Sequence, residues 1–333
     1  MFIPPQPRQF YTNKIINNLT EYDNFAYSFD YITIITVITI IYSIPSLLVT
    51  LKMCQVARAF PGPKIRAHGL HPMVLRLFLL MQISNFGYFF SDFLLIRLPS
   101  TTVITGSCGK LGNLEFLMGA QFLTYYLSTF ATLIFCLARF FIVFSPRNHD
   151  FWLDAVIWRG TVPAACVAAG VAAFWVTIGG EGICVQLDEP YQFGAIVINC
   201  TKVYKNNFTT IAHISVSTFA IFLIVALSTY MLLKLRGGSK LAAAHSASDR
   251  SVRRRKAEKV LTVTMVLICV PLVLSLSMRA LDILRSPYYA YVMIARPLFV
   301  DTRVNLVSWF FYLTHPIFKN AAITVTSVKS TTT

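Results

Sequence analysis

Long apolar stretches, separated by shorter polar segments, are the main pattern of this chain. A helix that crosses a bilayer needs about 20 mostly apolar residues. Apolar stretches of that length predict seven membrane-spanning helices, at about 29–51, 73–96, 114–144, 155–178, 210–234, 259–282 and 297–318. The pattern therefore predicts an all-α membrane protein. Its seven-transmembrane helix bundle covers 29–318, between an N-terminal segment 1–28 and a short tail 319–333.

Positive charge is distributed unevenly among the segments between the predicted helices. Lysine and arginine are about twice as frequent on the first, third and fifth loops and the tail as on the other segments. Because positively charged loops remain cytoplasmic, this bias predicts an N-terminus outside and a C-terminus in the cytoplasm. Three Asn-X-Thr sequences, which we expect to be glycosylated, fall on segments assigned to the outside and begin at Asn18, Asn199 and Asn207.

The composition excludes a soluble globular protein. Hydrophobic residues make up 56% of the 333 residues and charged residues only 13%, which leaves too little polar surface for a soluble chain of this size. The net charge of +15 is concentrated on the loops predicted to be cytoplasmic. Anionic membrane lipids are therefore the expected partners of this charge, and no nucleic-acid partner is expected.

Three cysteines lie on the segments assigned to the oxidising side of the membrane: Cys108, Cys184 and Cys200. A disulfide from Cys108 to the loop 179–209 would hold that loop over the bundle. Either Cys184 or Cys200 could be the partner. Cys200 is favoured because it lies farther from the end of the preceding helix.

The inner end of the third predicted helix carries a motif. Residues 137–146 read Leu-Ala-Arg-Phe-Phe-Ile-Val-Phe-Ser-Pro, which resembles the Asp-Arg-Tyr region of rhodopsin-like G-protein-coupled receptors. Ala138 stands where that family has an acidic residue. The resemblance implies a role in G-protein coupling for Arg139, Phe140 and Pro146. The alternative for Arg139 is an ordinary arginine that extends from a helix end to the lipid headgroups.

The end of the seventh predicted helix adds to this resemblance. The sequence Tyr-Leu-Thr-His-Pro-Ile-Phe over 312–318, compact inner loops and a short tail resemble nematode serpentine chemoreceptors of the gamma superfamily, which includes class gamma and class V. The resemblance implies a chemosensory receptor in the plasma membrane, including that of sensory cilia, that binds a small molecule in the outer half of the bundle. It also implies signalling through a heterotrimeric G protein, to which Arg253, Arg254 and Arg255 would contribute. The same basic cluster would bind lipid headgroups.

Polar residues in the outer half of the bundle are candidates for ligand binding, because polar groups inside a membrane are costly. Gln121 lies eighteen residues outward from Arg139, where amine receptors of the wider family carry Asp, so a biogenic amine is not the expected ligand. The other candidates share this region of the bundle: Tyr88, Tyr125, Tyr126, His213, Asp301 and Arg303. For each of them, hydrogen bonding between helices is the alternative, and it is the commoner role.

Two other classes of membrane protein fit less well. A membrane hydrolase needs a metal site or a nucleophile, yet His213 and His315 are the only histidines in the predicted spans, so we expect neither an enzyme nor a cofactor or metal. The remaining alternative is a transporter or a ligand-gated channel without G-protein coupling. A transporter would be expected to show two related halves, and the sequence has no internal repeat.

Overall fold

The structure is a computed structural model, and the chain is mostly helical. The residues that it describes are 15–16, 19–22, 25–59, 65, 70–110, 114–144, 149–201, 207–242, 260–264, 266–274, 277, 289–315 and 317–318. We label the main helices α1 (Tyr31–Ala59), α2 (Pro72–Ser100), α3 (Leu114–Phe144), α4 (149–177), α5 (Asn207–Ala242), α6 (Val260–Leu274) and α7 (Tyr289–Thr314). Two strands form one antiparallel hairpin, β1 (Gly182–Gln186) and β2 (Ile196–Cys200).

Five helices among the described residues are long and apolar enough to cross a membrane: Tyr31–Ala59, Pro72–Ser100, Leu114–Ile142, Trp152–Thr177 and Ile214–Lys234. They correspond to the first five predicted spans. Helix α6 is apolar but shorter, and α7 has the length of a span but contains Arg296, Asp301 and Arg303. The sixth and seventh spans and the orientation of the chain therefore stay predictions.

The ends of the helices follow from local sequence. Helix α2 begins with Pro72 at its first position, and Nδ1 of His71 accepts a hydrogen bond from the Met73 amide at 3.2 Å, an arrangement that suits a helix N-terminus. Within α2, the turn Phe93–Arg97 is π-helical. Helix α4 contains a π-helical stretch, Trp152–Thr161, and is followed by Gly179 in the left-handed region with φ of +67°, which suits glycine after a helix end.

Helix α3 lies at the centre of the bundle. It packs against α2, α4 and α5, while α7 packs against α1 and α2. Three fully buried rings join α2, α3 and α7, with centroid distances of 4.0 Å from Phe78 to Phe311 and 5.7 Å from Phe78 to Phe135. The bundle thus has an aromatic core, and its outward faces carry exposed apolar side chains such as Ile34, Ile38, Ile41, Val171, Phe174 and Phe222. Apolar surface of this extent suits contact with lipid.

A cap covers one end of the bundle. We use this name for the described residues between 15 and 30, the turn Thr105–Lys110 and the β1–β2 hairpin. Ile15 pairs with Val185 of β1, and the Ile16 amide donates a hydrogen bond to the Cys184 carbonyl at 3.0 Å. The cap therefore combines the N-terminal segment with the loop between α4 and α5.

A disulfide within the cap joins Cys108 of the turn Thr105–Lys110 to Cys184 of β1, with a Cα–Cα distance of 6.5 Å. The prediction of a Cys108–Cys200 bridge is wrong. Distance along the chain misled it, because antiparallel pairing returns Cys200 to a position opposite Gly182. There its sulfur lies 4.0 Å from the Val176 carbonyl of α4, and its thiol is free.

Candidate ligand-binding site

A network of buried ion pairs lies between α2 and α7, close to the cap. Arg97 donates two hydrogen bonds to Asp301, with Nη1–Oδ2 at 2.9 Å and Nη2–Oδ1 at 2.6 Å. Its Nε donates to Oδ2 of Asp92 at 3.2 Å. The Tyr42 hydroxyl of α1 donates to the same Asp301 carboxylate. Three helices thus meet on one carboxylate, in a geometry that is typical of strong arginine–carboxylate pairs.

Arg97 is a residue that sequence reasoning missed, because it was assigned to the loop after the second span. The π-helical turn Phe93–Arg97 extends α2 instead, and Arg97 is only 3% exposed. A π-helix pairs residues five apart, so this turn brings Arg97 against Asp92. The sequence did contain a signal for this ion pair, because Asp92 and Arg97 carry opposite charges five residues apart in an otherwise apolar stretch.

Arg296 of α7 completes the network. Its Nη2 lies 2.5 Å from Oδ1 of Asp92 and 3.1 Å from the Tyr88 hydroxyl. A small pocket borders these charges, and its lining includes Tyr191 of the hairpin loop. Its volume of about 20 Å³ has room for about one water molecule. A larger ligand would therefore have to separate side chains at this place.

Tyrosines predicted to bind ligand continue the site toward α3 and α5. The rings of Tyr88 and Tyr125 meet edge to face at 5.4 Å, and the Tyr125 hydroxyl donates to Oγ of Ser217 at 2.8 Å. Tyr126 contacts Tyr125 at 5.5 Å but belongs to the apolar cluster that includes Ala169 of α4. Tyr88 and Tyr125 are thus brought together, while Tyr126 packs toward α4.

The other predicted ligand residues have different positions. Gln121 is half-buried on α3, about one turn from Tyr125. Asp301 is engaged by Arg97 rather than by a neighbour on its own helix. Arg303 reaches α3, where its Nη2 donates to the Ser128 carbonyl at 2.8 Å and to Oγ1 of Thr132 at 2.6 Å. The side chain of His213 lies outside the described residues.

The predicted signalling residues lie at the other end of α3. Arg139 is 3% exposed, and Ala138 beside it is fully buried. The Phe140 ring stacks on Phe144 at 5.4 Å and contacts Tyr230 of α5 at 5.5 Å. This end of α3 is therefore joined to α5 by aromatic contacts.

Several predicted sites fall elsewhere. Asn199 lies in β2, where its Oδ1 accepts a hydrogen bond from the Cys200 amide at 2.8 Å. Pro146, Asn18, Arg253, Arg254 and Arg255 lie outside the described residues, as does the side chain of Asn207.

Comparisons with known proteins give one consistent result. A family model described as the serpentine type 7TM GPCR chemoreceptor Sru matches residues 16–321. The chain is also similar to serpentine receptor class U-26 of Caenorhabditis elegans, with 23% identity over 214 residues. That alignment covers 62% of this chain and 71% of the relative.

Proposed function

Because the chain belongs to the Sru family of serpentine seven-transmembrane chemoreceptors, we propose that it is a chemosensory receptor coupled to a heterotrimeric G protein. Its small-molecule ligand binds between α2, α3 and α7, beside Tyr88, Tyr125 and Arg296. The chain crosses the plasma membrane seven times, with α6 and α7 as the last two spans. Anionic lipids contact its cytoplasmic loops.

The observation that carries this proposal is the buried ion network between α2 and α7. Charges inside a membrane bundle are costly unless they are paired, and they mark functional sites by default. Here two carboxylates are shared among Arg97, Arg296 and the Tyr42 hydroxyl. A ligand that takes Arg296 away from Asp92 changes the contacts between α2 and α7. Such differential contact is what a ligand needs in order to shift an equilibrium between two helix arrangements.

Two features support an outside location for the cap and an inside location for Arg139. Disulfides persist in oxidising compartments, and the Cys108–Cys184 bridge belongs to the cap. Arg139 is twenty-five positions beyond Leu114, the first residue of α3, in the same helix and beyond Tyr125 and Ser128. The ligand site then faces the exterior, and Arg139 and Phe140 face the G protein. Arg253, Arg254 and Arg255 also contact the G protein at this cytoplasmic surface.

The test is a response assay in cells that express the full chain with a calcium reporter and a broadly coupling G protein. Pools of volatile and water-soluble metabolites are applied to these cells and to cells that express Arg139→Ala at equal surface density. We expect a response in the first cells alone. Ligand-evoked current that persists when G proteins are blocked would contradict the proposal and favour a channel.

A further inference from the structure

Arg303 is a buried arginine whose charge is not balanced by its surroundings. It is 6% exposed, and its Nη2 donates only to neutral oxygens, the Ser128 carbonyl and Thr132 Oγ1. Among the residues that the structure describes, no carboxylate lies within ion-pair distance of it. The two aspartates of the neighbouring network are already shared by Arg97 and Arg296. One positive charge therefore remains in the interior of the bundle.

Unused hydrogen-bond donors are found on Arg303 itself and on a residue that is linked to it through Ser128. Within the described part of the chain, Nε of Arg303 and Nδ2 of Asn85 are buried and have no hydrogen-bond partner. Asn85 and Arg303 are linked through Ser128, whose hydroxyl donates to Oδ1 of Asn85 at 2.6 Å and whose carbonyl accepts from Arg303. Gln82, one turn away on α2, also has a buried amide without a partner in this part of the chain. Buried donors of this kind are normally satisfied.

We propose that Arg303 and Asn85 bind a single monovalent anionic group inside the bundle. The site offers what an anion requires, namely a guanidinium that is always charged and a neutral amide donor that is linked to it through Ser128. A bound anion would satisfy both donors and balance the charge of Arg303. Either a small inorganic anion such as chloride or the carboxylate of a ligand has this chemistry.

The position of the site connects it to the proposed ligand pocket. Ser128 follows Tyr125 by three residues on α3, which is about 4.5 Å along a helix. An anionic ligand that passes Tyr88 and Tyr125 would therefore place its charged group at Arg303. This reading rests on the proposed receptor function, whereas the anion site itself does not.

The test measures thermal unfolding of the purified full chain in detergent, so it needs no signalling partner. Sodium chloride is compared with sodium isethionate, a bulky sulfonate, at constant ionic strength. Acetate and butyrate are then added to the isethionate buffer. We expect at least one small anion to raise Tm in a saturable manner, by about 2–4 °C at high occupancy. A rise with chloride identifies the inorganic anion, and a rise with the carboxylates alone identifies the ligand group.

Two variants separate this site from general salt effects. Arg303→Gln removes the charge and keeps an amide donor, and Asn85→Asp replaces the amide donor with a fixed carboxylate. Both should abolish the anion-dependent rise in Tm. Arg76→Gln, on an exposed position of α2, should retain it. An equal anion dependence in all variants, or no dependence in the unmodified chain, would overturn the proposal and leave the receptor function untouched.

Discussion

Arg97 and Asp301 are 204 positions apart in the chain and form a two-point ion pair inside the bundle. The pair joins the last turns of α2 to the middle of α7. Because Arg97 also holds Asp92, one guanidinium fixes both carboxylates of the network. Together with the pair of Arg296 and Asp92, Arg97 therefore joins α2 to α7 at this level.

Removing Arg97 should destabilise the bundle strongly. Arg97→Ala leaves two buried carboxylates with one fewer cation, and the loss of one partner of a buried pair costs about 3–5 kcal/mol. We expect a lower Tm of the purified chain and less protein at the cell surface. Arg159→Ala is the matched control, because its pair with Asp154 is 75% and 49% exposed and should contribute about 0–1 kcal/mol. Similar losses for both variants would contradict the assignment.

Replacing Gly194 should loosen the cap. Its φ is +91°, and a Cβ there would overlap the Phe25 ring. Gly194→Ala should therefore displace Phe25 and increase cleavage of the N-terminal segment in limited proteolysis. Gly170→Ala on α4 is the control, because nothing lies within 4 Å of its added Cβ. Phe25→Ala combined with Gly194→Ala should restore part of the protection by removing the overlap.

The disulfide gives a prediction that separates the three cysteines. Cys108→Ser and Cys184→Ser should each lower stability by about 2–5 kcal/mol, as expected for a native bridge. Cys200→Ser should have a much smaller effect, since its thiol is free. Peptide mapping without reduction checks the pairing directly. A fragment that links positions 108 and 200 would contradict it.

Coupling should depend on Arg139. Arg139→Ala should abolish the G-protein response at unchanged surface density, because a neutral side chain cannot replace its five hydrogen-bond donors. Ala138→Asp should lower basal signalling by holding Arg139 in a charge-assisted bond of about 1.5–3 kcal/mol. Ala138→Asn controls for the added volume without the charge. A normal response from Arg139→Ala would contradict a role for this arginine in coupling.

The orientation can be tested with the three glycosylation sequences. Asn18→Gln, Asn199→Gln and Asn207→Gln should each remove one glycosidase-sensitive mobility shift if the N-terminus is outside. A tag before residue 1 should then be stained without permeabilisation of the cells. Staining only after permeabilisation, together with no mobility shift in any variant, would reverse the orientation.

The sequence predicted the family and the places of the first five long apolar helices well. The serpentine chemoreceptor resemblance is confirmed by the match over 16–321, and α3 covers the predicted range 114–144. Apolar length limits only the part of a helix inside the membrane, so it could not show that α1 continues to Ala59. A helix can continue beyond the bilayer without losing backbone hydrogen bonds, so the end of the apolar stretch need not be the end of the helix.

The sequence was less informative where residues meet from distant parts of the chain. Cys200 was chosen over Cys184 by its distance from a helix, but the pairing of β1 with β2 decides which cysteine faces Cys108. Asp301 was predicted to bind a ligand, and its partner Arg97 was placed in a loop. Neither the strand register nor the π-helical turn that positions Arg97 can be read from apolar periodicity.

The contact between Ile15 and Val185 has a consequence for synthesis of the protein. The two residues are 170 positions apart, and a ribosome that adds about 5–20 residues per second needs roughly 10–30 s to travel from one to the other. Until Val185 has been made, Ile15 has no strand to pair with, and Cys108 has no Cys184 to join. The cap is therefore a late step of biogenesis, completed only after α1 to α4 have been made.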